Sequence, residues 1–423
     1  MKKKAVALAV GALFAAPAVQ AQLTMGNETT GTVQVYGKLY PQFGVAKGQG
    51  STQPGDGVST LVARSGVLGG AAVQDHGQRN AVDSQNSYVG FRGERNLGGR
   101  LKGIWQVEQS VDLEFGGGGG TFSNRNSFAG LSHGALGTVK LGNMDTIYKE
   151  YGDTMSMFGI ASGNFISASN VLSHIGIGSN NLARFHERAP NSIQYQTAEF
   201  AGVQAGIQYS PDELKNGDGR GANKNLWSYG VKFDSQMFYA SLHQEIHYDY
   251  YGASANIADA TVANVTGTNI ANGTPGPIHS RDMATRFSGE VRFAGQRVVL
   301  DIARQHYVET GQTGTGRFME YKKPNWGIGY DAGVGAWRFA TQYLRAGSGT
   351  CQLTGGVDCS TSGIASWMLT AGARYRFDRQ TFVYLIASKL GNGASARHDN
   401  WAASTPNRGE DMKQIALGLS YSF

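Results

Sequence analysis

The chain closes with Gln414-Ile-Ala-Leu-Gly-Leu-Ser-Tyr-Ser-Phe423, and in an extended strand these side chains divide into two unlike faces. Ile415, Leu417, Leu419, Tyr421 and Phe423 fall on one face, and Gln414, Ala416, Gly418, Ser420 and Ser422 on the other, because successive strand residues point to opposite sides. Large apolar residues outside and small polar ones inside suit a wall between lipid and a watery lumen. The edge strand of a soluble sandwich gives the same alternation, which alone says only half-buried.

The other end of the chain points to export. Met1-Lys-Lys-Lys is a basic start, Ala5 to Ala18 is apolar, and Val19-Gln-Ala21 puts small residues before a cut at Gln22. That is the layout of a signal peptide over residues 1–21, leaving 22–423 as the mature domain. The apolar run is shorter than the roughly 20 residues a spanning helix needs, and no other stretch comes close. If the mature chain enters a membrane it must do so as a closed barrel, the one non-helical way to satisfy backbone groups in lipid.

Composition agrees. Losing three lysines with the signal lowers the formal charge from +6 to +3. A mild balance without basic helices does not indicate nucleic acid. The chain has 61 glycines, 19 tyrosines, 19 phenylalanines and 9 prolines, a mixture of strands and turns without collagen period. Cys351 and Cys359 sit close together in a polar, turn-rich segment, and in an oxidising compartment a short loop disulfide is the natural reading.

Two-faced segments like the last one recur along the chain. The first is Thr32-Val-Gln-Val-Tyr-Gly-Lys-Leu-Tyr40, and later ones include Ser87–Gly93, Arg286–Phe293, Asn325–Tyr330 and Thr381–Leu390. Sixteen can be counted, an even number as in single-chain bacterial barrels. Connections alternate between short ones, such as Asn96–Gly99 and Asp378–Gln380, and long ones, such as 47–86, 145–184 and 251–280. Short turns on one side and long loops on the other is the layout of periplasmic turns and extracellular loops, with both termini periplasmic. The expected fold is therefore an all-β, sixteen-stranded antiparallel transmembrane barrel in the outer membrane.

Several ordered pieces carry a family resemblance. They are Thr-Val-Gln-Val-Tyr-Gly-Lys38, Ser-Tyr-Val-Gly-Phe-Arg-Gly-Glu94 and Asn-Leu-Gly-Gly-Arg-Leu-Lys-Gly-Ile-Trp-Gln-Val-Glu108. Asn-Arg-Asn-Ser-Phe-Ala-Gly-Leu131, Leu-Gly-Thr-Val-Lys-Leu-Gly142, Arg-Ala-Pro-Asn-Ser-Ile-Gln-Tyr195 and the final Tyr-Ser-Phe423 complete them. The chain resembles the trimeric general porins of Gram-negative outer membranes, especially the beta-proteobacterial branch. The resemblance implies a homotrimer, a third extracellular loop folded into the barrel, and Tyr421 and Phe423 as the signal read by the barrel-assembly machinery. Membrane lipid and lipopolysaccharide would surround the barrel; no cofactor or metal is implied.

A channel of this kind is defined by the charge on its lumen. Parity turns Lys38, Arg92, Lys102, Lys140, Arg188, Lys232, Arg286, Arg292, Arg338, Arg374, Arg376 and Lys389 inward. Glu94, Glu108, Glu245, Asp249, Glu290 and Asp301 are the inward acids, half as many. The resemblance marks Lys38, Arg125 and Arg188 as a basic ladder, with Arg92 beside them and Lys140 added by parity; Tyr88 stands where another arginine is usual. The facing loop contributes Asp145, Lys149, Glu150 and Asp153. At its expected acidic tip stand Met157 and Phe158, and from Thr154 to Leu182 there is no charged residue.

Two unit charges about 6 Å apart interact by only about 0.7 kcal/mol in bulk water, and salt screens beyond about 8 Å. Charges crowding the narrowest point therefore set selectivity, and a moderate anion preference for small anionic or neutral solutes follows. The apolar stretch Phe158–Ile166 offers two uses, a greasy surface for small carboxylates or packing onto the inner wall. His243, Glu245, His247 and Asp249 alternate on one strand face, but alternate residues i and i+4 lie about 13 Å apart, too far to share a metal. Gly116–Gly120 lacks the Lys-Ser/Thr of a phosphate loop. No serine–histidine pairing stands out for a barrel enzyme, so no catalysis is expected, and the long loops could serve adhesion secondarily.

Overall fold

The computed structural model describes residues 23–27, 30–53, 56, 59, 61, 72–84, 86–114, 122–160, 163–177, 184–211, 224–250, 279–399 and 406–423. The expected signal peptide and the run Gly116–Gly120 lie outside them, as does most of the segment 251–280.

Strands follow one another almost without interruption. The N-terminal group is β1 (Leu23–Asn27), β2 (Gly31–Leu39), β3 (Gln42–Gln49), β4 (Arg79–Asp83), β5 (Tyr88–Gly98), β6 (Leu101–Ser110), β7 (Ser127–His133) and β8 (Gly137–Asp145). Two short helices, α1 (Ile147–Gly152) and α2 (Ser169–Leu172), precede β9 (Arg188–Gln196), β10 (Val203–Ser210), β11 (Asn225–Asp234) and β12 (Phe238–Tyr248). Then come the long β13 (His279–Phe293), β14 (Gln296–Thr310) and β15 (Phe318–Val334), followed by β16 (Trp337–Ala346), β17 (Thr350–Leu353), β18 (Ser366–Arg376), β19 (Thr381–Asn392) and β20 (Asp411–Ser422).

Every pairing is antiparallel, and the sheet closes on itself. β20 pairs with β19 on one side and, through Gly418↔Gln42 and Ser422↔Lys38, with β3 and β2 on the other. Closure removes the edges on which strands of separate molecules could pair. β2 and β3 form one stave broken at Tyr40-Pro41, where proline has no N–H to donate, and β4 and β5 form the next. β1 is a hairpin arm on β2, and β17 pairs only with the top of β15. The ring therefore has sixteen staves.

The opening strand reads as its pattern predicts. Ile415, Leu417, Leu419 and Tyr421 are exposed outward, whereas Gln414, Ala416 and Ser420 are buried inward. Outward apolar residues continue around the ring, for example Leu141, Ile207, Val231, Leu242, Leu300, Ile328 and Leu385. Among the described residues, the buried hydrophobic clusters lie within the lumen. There three buried clusters all join residues of the segment between β8 and β9 to the inner wall.

Several strand boundaries differ from expectation, two of them widely. β13 and β15 run to 15 and 17 residues, well beyond Arg286–Phe293 and Asn325–Tyr330. All the extra residues of β13, and those of β15 before Asn325, form the long-loop end, where polar side chains lie on both faces and the alternation that marks a lipid-crossing strand disappears. Cys351 and Cys359 are joined in the connection that carries β17, with Cα atoms 5.6 Å apart.

Candidate functional site

The segment after β8 turns inward because its polar anchors meet a wall of matching partners. The Thr146 hydroxyl caps α1, accepting from Lys149 N, and donates to Glu245. Tyr148 N donates to Ser228 Oγ at 2.8 Å, and Thr154 Oγ1 to Asp301 Oδ1 at 3.0 Å. Farther along, Gln342 reaches Ile166 O, and Gln305 and Asn325 both donate to Leu172 O at 3.1 Å. Lys323 Nζ donates to His174 O and Ile175 O at 3.2 and 2.9 Å. Between these pins the apolar side chains are buried on the wall: Met157, Phe158, Ile160, Phe165 and Ile166 pack with Tyr40, Tyr384 and Ile386. The apolar stretch is thus spent on docking the loop, and the greasy-surface reading of Phe158–Ile166 is not borne out.

The docked segment borders a cavity of about 450 Å³ lined by Arg125, Asp145, Lys149, Asp153, Arg184 and Arg188 among others. Within it the acids are matched. Arg188 Nη2 lies 3.0 Å and Lys149 Nζ 3.1 Å from Asp145 Oδ1, Asp153 pairs with His186, and Arg184 with Glu187. Burial raises the Glu187 carboxyl above its usual range. His174 is pulled down to about 3 by burial, with Arg184, His186 and Lys323 adding to it, so its ring is neutral.

Beside the cavity, four cations lie over aromatic rings, an arrangement that orients them without neutralising them. Arg125 lies 4.8 Å above Tyr88, and Arg92 4.8 Å above Tyr36. Lys38 Nζ lies 4.3 Å above Tyr40, and Arg374 4.8 Å above Phe382 and 5.8 Å from Phe158. Tyr88, noted in the sequence as a missing rung, is thus the shelf under Arg125. Arg125 is also paired with Glu108. By contrast, Lys38 and Arg374 make no ion pair among the described residues, and a Cβ on Gly159 of the loop would stand 3.9 Å from Lys38 Nζ. Arg374 was readable as inward but not as part of the ladder, because no local motif ties β18 to β2.

Other expected lining residues lie elsewhere. Arg92 and Lys140 point inward but do not line the cavity; Lys140 Nζ is bound to Gln194 and Gln196, and Glu150 to Gln196. Arg286 and Asp301 form a buried pair 2.6 Å apart beneath the loop, and Glu245 is fully buried there as well. His243 and His247 are likewise covered, and no metal-holding cluster occurs among the described residues. Lys389 corrects the parity reading: it stands directly opposite Leu369, an exposed outward residue, and so faces outward. Toward the short turns Arg292, Arg297 and Arg338 interleave with Asp234, Glu290 and Asp331 in a continuous chain of ion pairs. Arg297 was missed because it precedes the first clearly apolar residue of its strand.

A closed sixteen-stave barrel with an inward-docked connection meets its decisive comparison in the family model of Gram-negative porins, which matches residues 5–395. The chain belongs to the Gram-negative porins. Among its relatives, the major outer membrane protein P.IB of Neisseria lactamica is 33% identical over 156 residues, 36% of this chain and 40% of that protein. P.IA of Neisseria meningitidis serogroup C is 31% identical over 133 residues, 31% and 30% of the two chains. The chain therefore spans less than half the length of these curated relatives. The anion-selective porin from Comamonas acidovorans shares the fold at a TM-score of 0.65 and 17% identity, covering 93% of this chain and 100% of the other. A trimer form of Vibrio cholerae OmpT gives 0.58 and 12%, covering 93% and 99%. The beta-proteobacterial resemblance thus leads to the right family, and this porin is an outer-membrane barrel.

Proposed function

We propose that this porin is a water-filled channel for passive diffusion of small hydrophilic solutes and ions, with a moderate preference for anions. The observation that carries the reading is the imbalance at the constriction. Asp145 at the base of the docked loop is paired with both Arg188 and Lys149, while Lys38 and Arg374, beside Gly159 and Phe158 at the loop's tip, make no ion pair among the described residues. An anion entering the narrow stretch exchanges part of its hydration for donors already held in place, whereas a cation meets in Asp145 a carboxylate already held by two cations. Screening confines the effect to this depth, since charges in a wide vestibule act over about 8 Å only.

The barrel works without catalysis and without a cofactor. Its long loops face outward and both chain ends face the periplasm; three copies assemble, in keeping with the trimer form of the OmpT relative in fold. Lipid and lipopolysaccharide surround it, and Tyr421 and Phe423 present the assembly signal to the insertion machinery. Purified protein in planar bilayers should give discrete, voltage-insensitive steps at low potential and admit small neutral sugars in liposome swelling. Bilayers that stay silent with folded protein present would refute the channel reading.

A further inference from the structure

Toward the short turns, charge on the inner wall alternates in sign from stave to stave. Arg292 of β13 lies between Asp234 of β11 and Glu290 of its own strand. Arg297 of β14 lies between Glu290 and Asp331 of β15, and Arg338 of β16 pairs with Asp331. Three guanidiniums thus share three carboxylates, and this chain of pairs carries no net charge. One stave further the alternation breaks. Directly opposite Arg338 stands Arg374 of β18, and Arg376 follows it two residues on, on the same face.

Like charges directly opposite one another on a sheet destabilise it, and both Arg338 and Arg376 bear on the charge of Arg374. Asp331, which also bears on it, is already shared by Arg297 and Arg338. Neither Arg374 nor Arg376 makes an ion pair among the described residues. The next stave supplies no carboxylate, since β19 sets Tyr384 opposite Arg374 and Phe382 opposite Arg376. The group is open to the lumen: Arg376 is exposed, and the Arg338 side chain is 35% exposed. It also lies just past the docked loop. A Cβ on Gly372, the preceding inward residue of β18, would stand 3.0 Å from the Phe158 ring. A solute that has passed Lys38 and the loop tip meets these arginines next on its way to the short-turn side.

We infer that Arg338, Arg374 and Arg376 form a binding site for the phosphate group of a small phosphorylated solute, bound at the step where the wall's own alternation breaks. A terminal phosphate brings close to two negative charges and three acceptor oxygens at neutral pH. Guanidinium forks pair with such oxygens two bonds at a time, and a dianion offsets the repulsion between facing arginines. A carboxylate offers one charge and two oxygens, too few to serve three forks from two staves. The role as a solute site deepens the channel reading, on which it rests, by naming the class of anion that the preference serves.

The test uses the full porin in detergent micelles with glycerol phosphate, whose phosphorus NMR line broadens on binding. At neutral pH and fixed ionic strength, wild type should broaden the line. Inorganic phosphate should reverse the broadening at a concentration at least tenfold lower than acetate needs. R374Q/R376Q should lose the broadening, and R374K/R376K, which keeps the charge without the forks, should weaken it several-fold. Chloride current in planar bilayers tells the two readings apart. A porin that conducts without broadening the line fails only the phosphate site, and one that broadens it without conducting fails only the channel reading. Equal competition by acetate and phosphate in wild type would overturn the inference, a result that needs no variant to fold. So would a folded, heat-modifiable glutamine variant that broadens the line normally, or a lysine variant no weaker than wild type, which would reduce the site to net charge.

Discussion

Gly37 and Phe423 exchange both backbone hydrogen bonds, at 2.9 and 3.0 Å, and a Cβ on Gly37 would come within 2.5 Å of the Phe423 ring. The first stave thus keeps a bare backbone where the last residue of the chain lays its aromatic side chain. The two strands whose pairing completes the ring depend on that fit.

Gly37→Val should therefore disturb closure more than most outward substitutions, because backbone and ring both have to shift. Folded, heat-modifiable barrel in outer-membrane fractions should fall several-fold, with a similar loss for Phe423→Ala. Gly37→Ala should be milder. Normal yields of Gly37→Val would show that the ring can turn away freely.

Charge-balanced changes separate paired from unpaired cations. Arg125→Gln with Glu108→Gln removes an ion pair and leaves the net charge of the lumen unchanged. The double variant should keep the wild-type reversal potential to within a few millivolts, whereas Arg374→Gln alone should lower anion preference. A large shift in the double variant would mean that Arg125 itself handles the permeating anion.

The loop is held at one point by a buried charge. Asp301 accepts from Thr154 and pairs with Arg286, and both charged groups are almost completely buried. Replacing Asp301 by Ala strands the guanidinium, a change that typically costs about 3–5 kcal/mol. The expected outcome is flickering single-channel current with a lower Tm. Asp301→Leu with Arg286→Met should recover much of the Tm, since no charge is left stranded.

Acid should loosen the far end of the same loop. The His174 pKa, about 3 in the folded protein against an ordinary 6.5, means that the docked loop holds a neutral ring. Above pH 6.5 its contribution is complete. As pH falls from 6.5 toward 3 the undocked loop takes up a proton that the docked one refuses, so docking weakens across that window. Arg184, His186 and Lys323 face the ring and oppose its protonation. Hydrogen exchange over residues 168–177 should accelerate between pH 7 and pH 4, and His174→Gln should flatten the response. An unchanged response in the variant would assign it to another group.

Much of this architecture is legible in the amino-acid order, and the exceptions have physical causes. Alternation reports which side of a lipid-crossing strand is wet, so the ring and the inward course of Lys38, Arg92 and Lys140 could be read directly. It fails beyond the lipid, where β13 to β15 continue with polar residues on both faces. A shift of one residue in assigned parity placed Lys389 on the wrong side, since a strand's period is two. Arg374 and Lys38 come from opposite ends of the chain, and only closure of the ring makes them neighbours. The aromatic shelves Tyr40, Tyr88 and Phe382 give no local signal, because a tyrosine below a cation looks in sequence like any other inward tyrosine.

On this reading, unpaired positive charge on Lys38 and Arg374 sets the selectivity of the constriction. Its most direct test is the reversal potential across a tenfold potassium chloride gradient for wild type and for Lys38→Met/Arg374→Met. Wild type should be anion-selective, and that preference should collapse toward neutral, or invert, in the double variant. A cation-selective wild type, or a double variant as anion-selective as wild type, would contradict it.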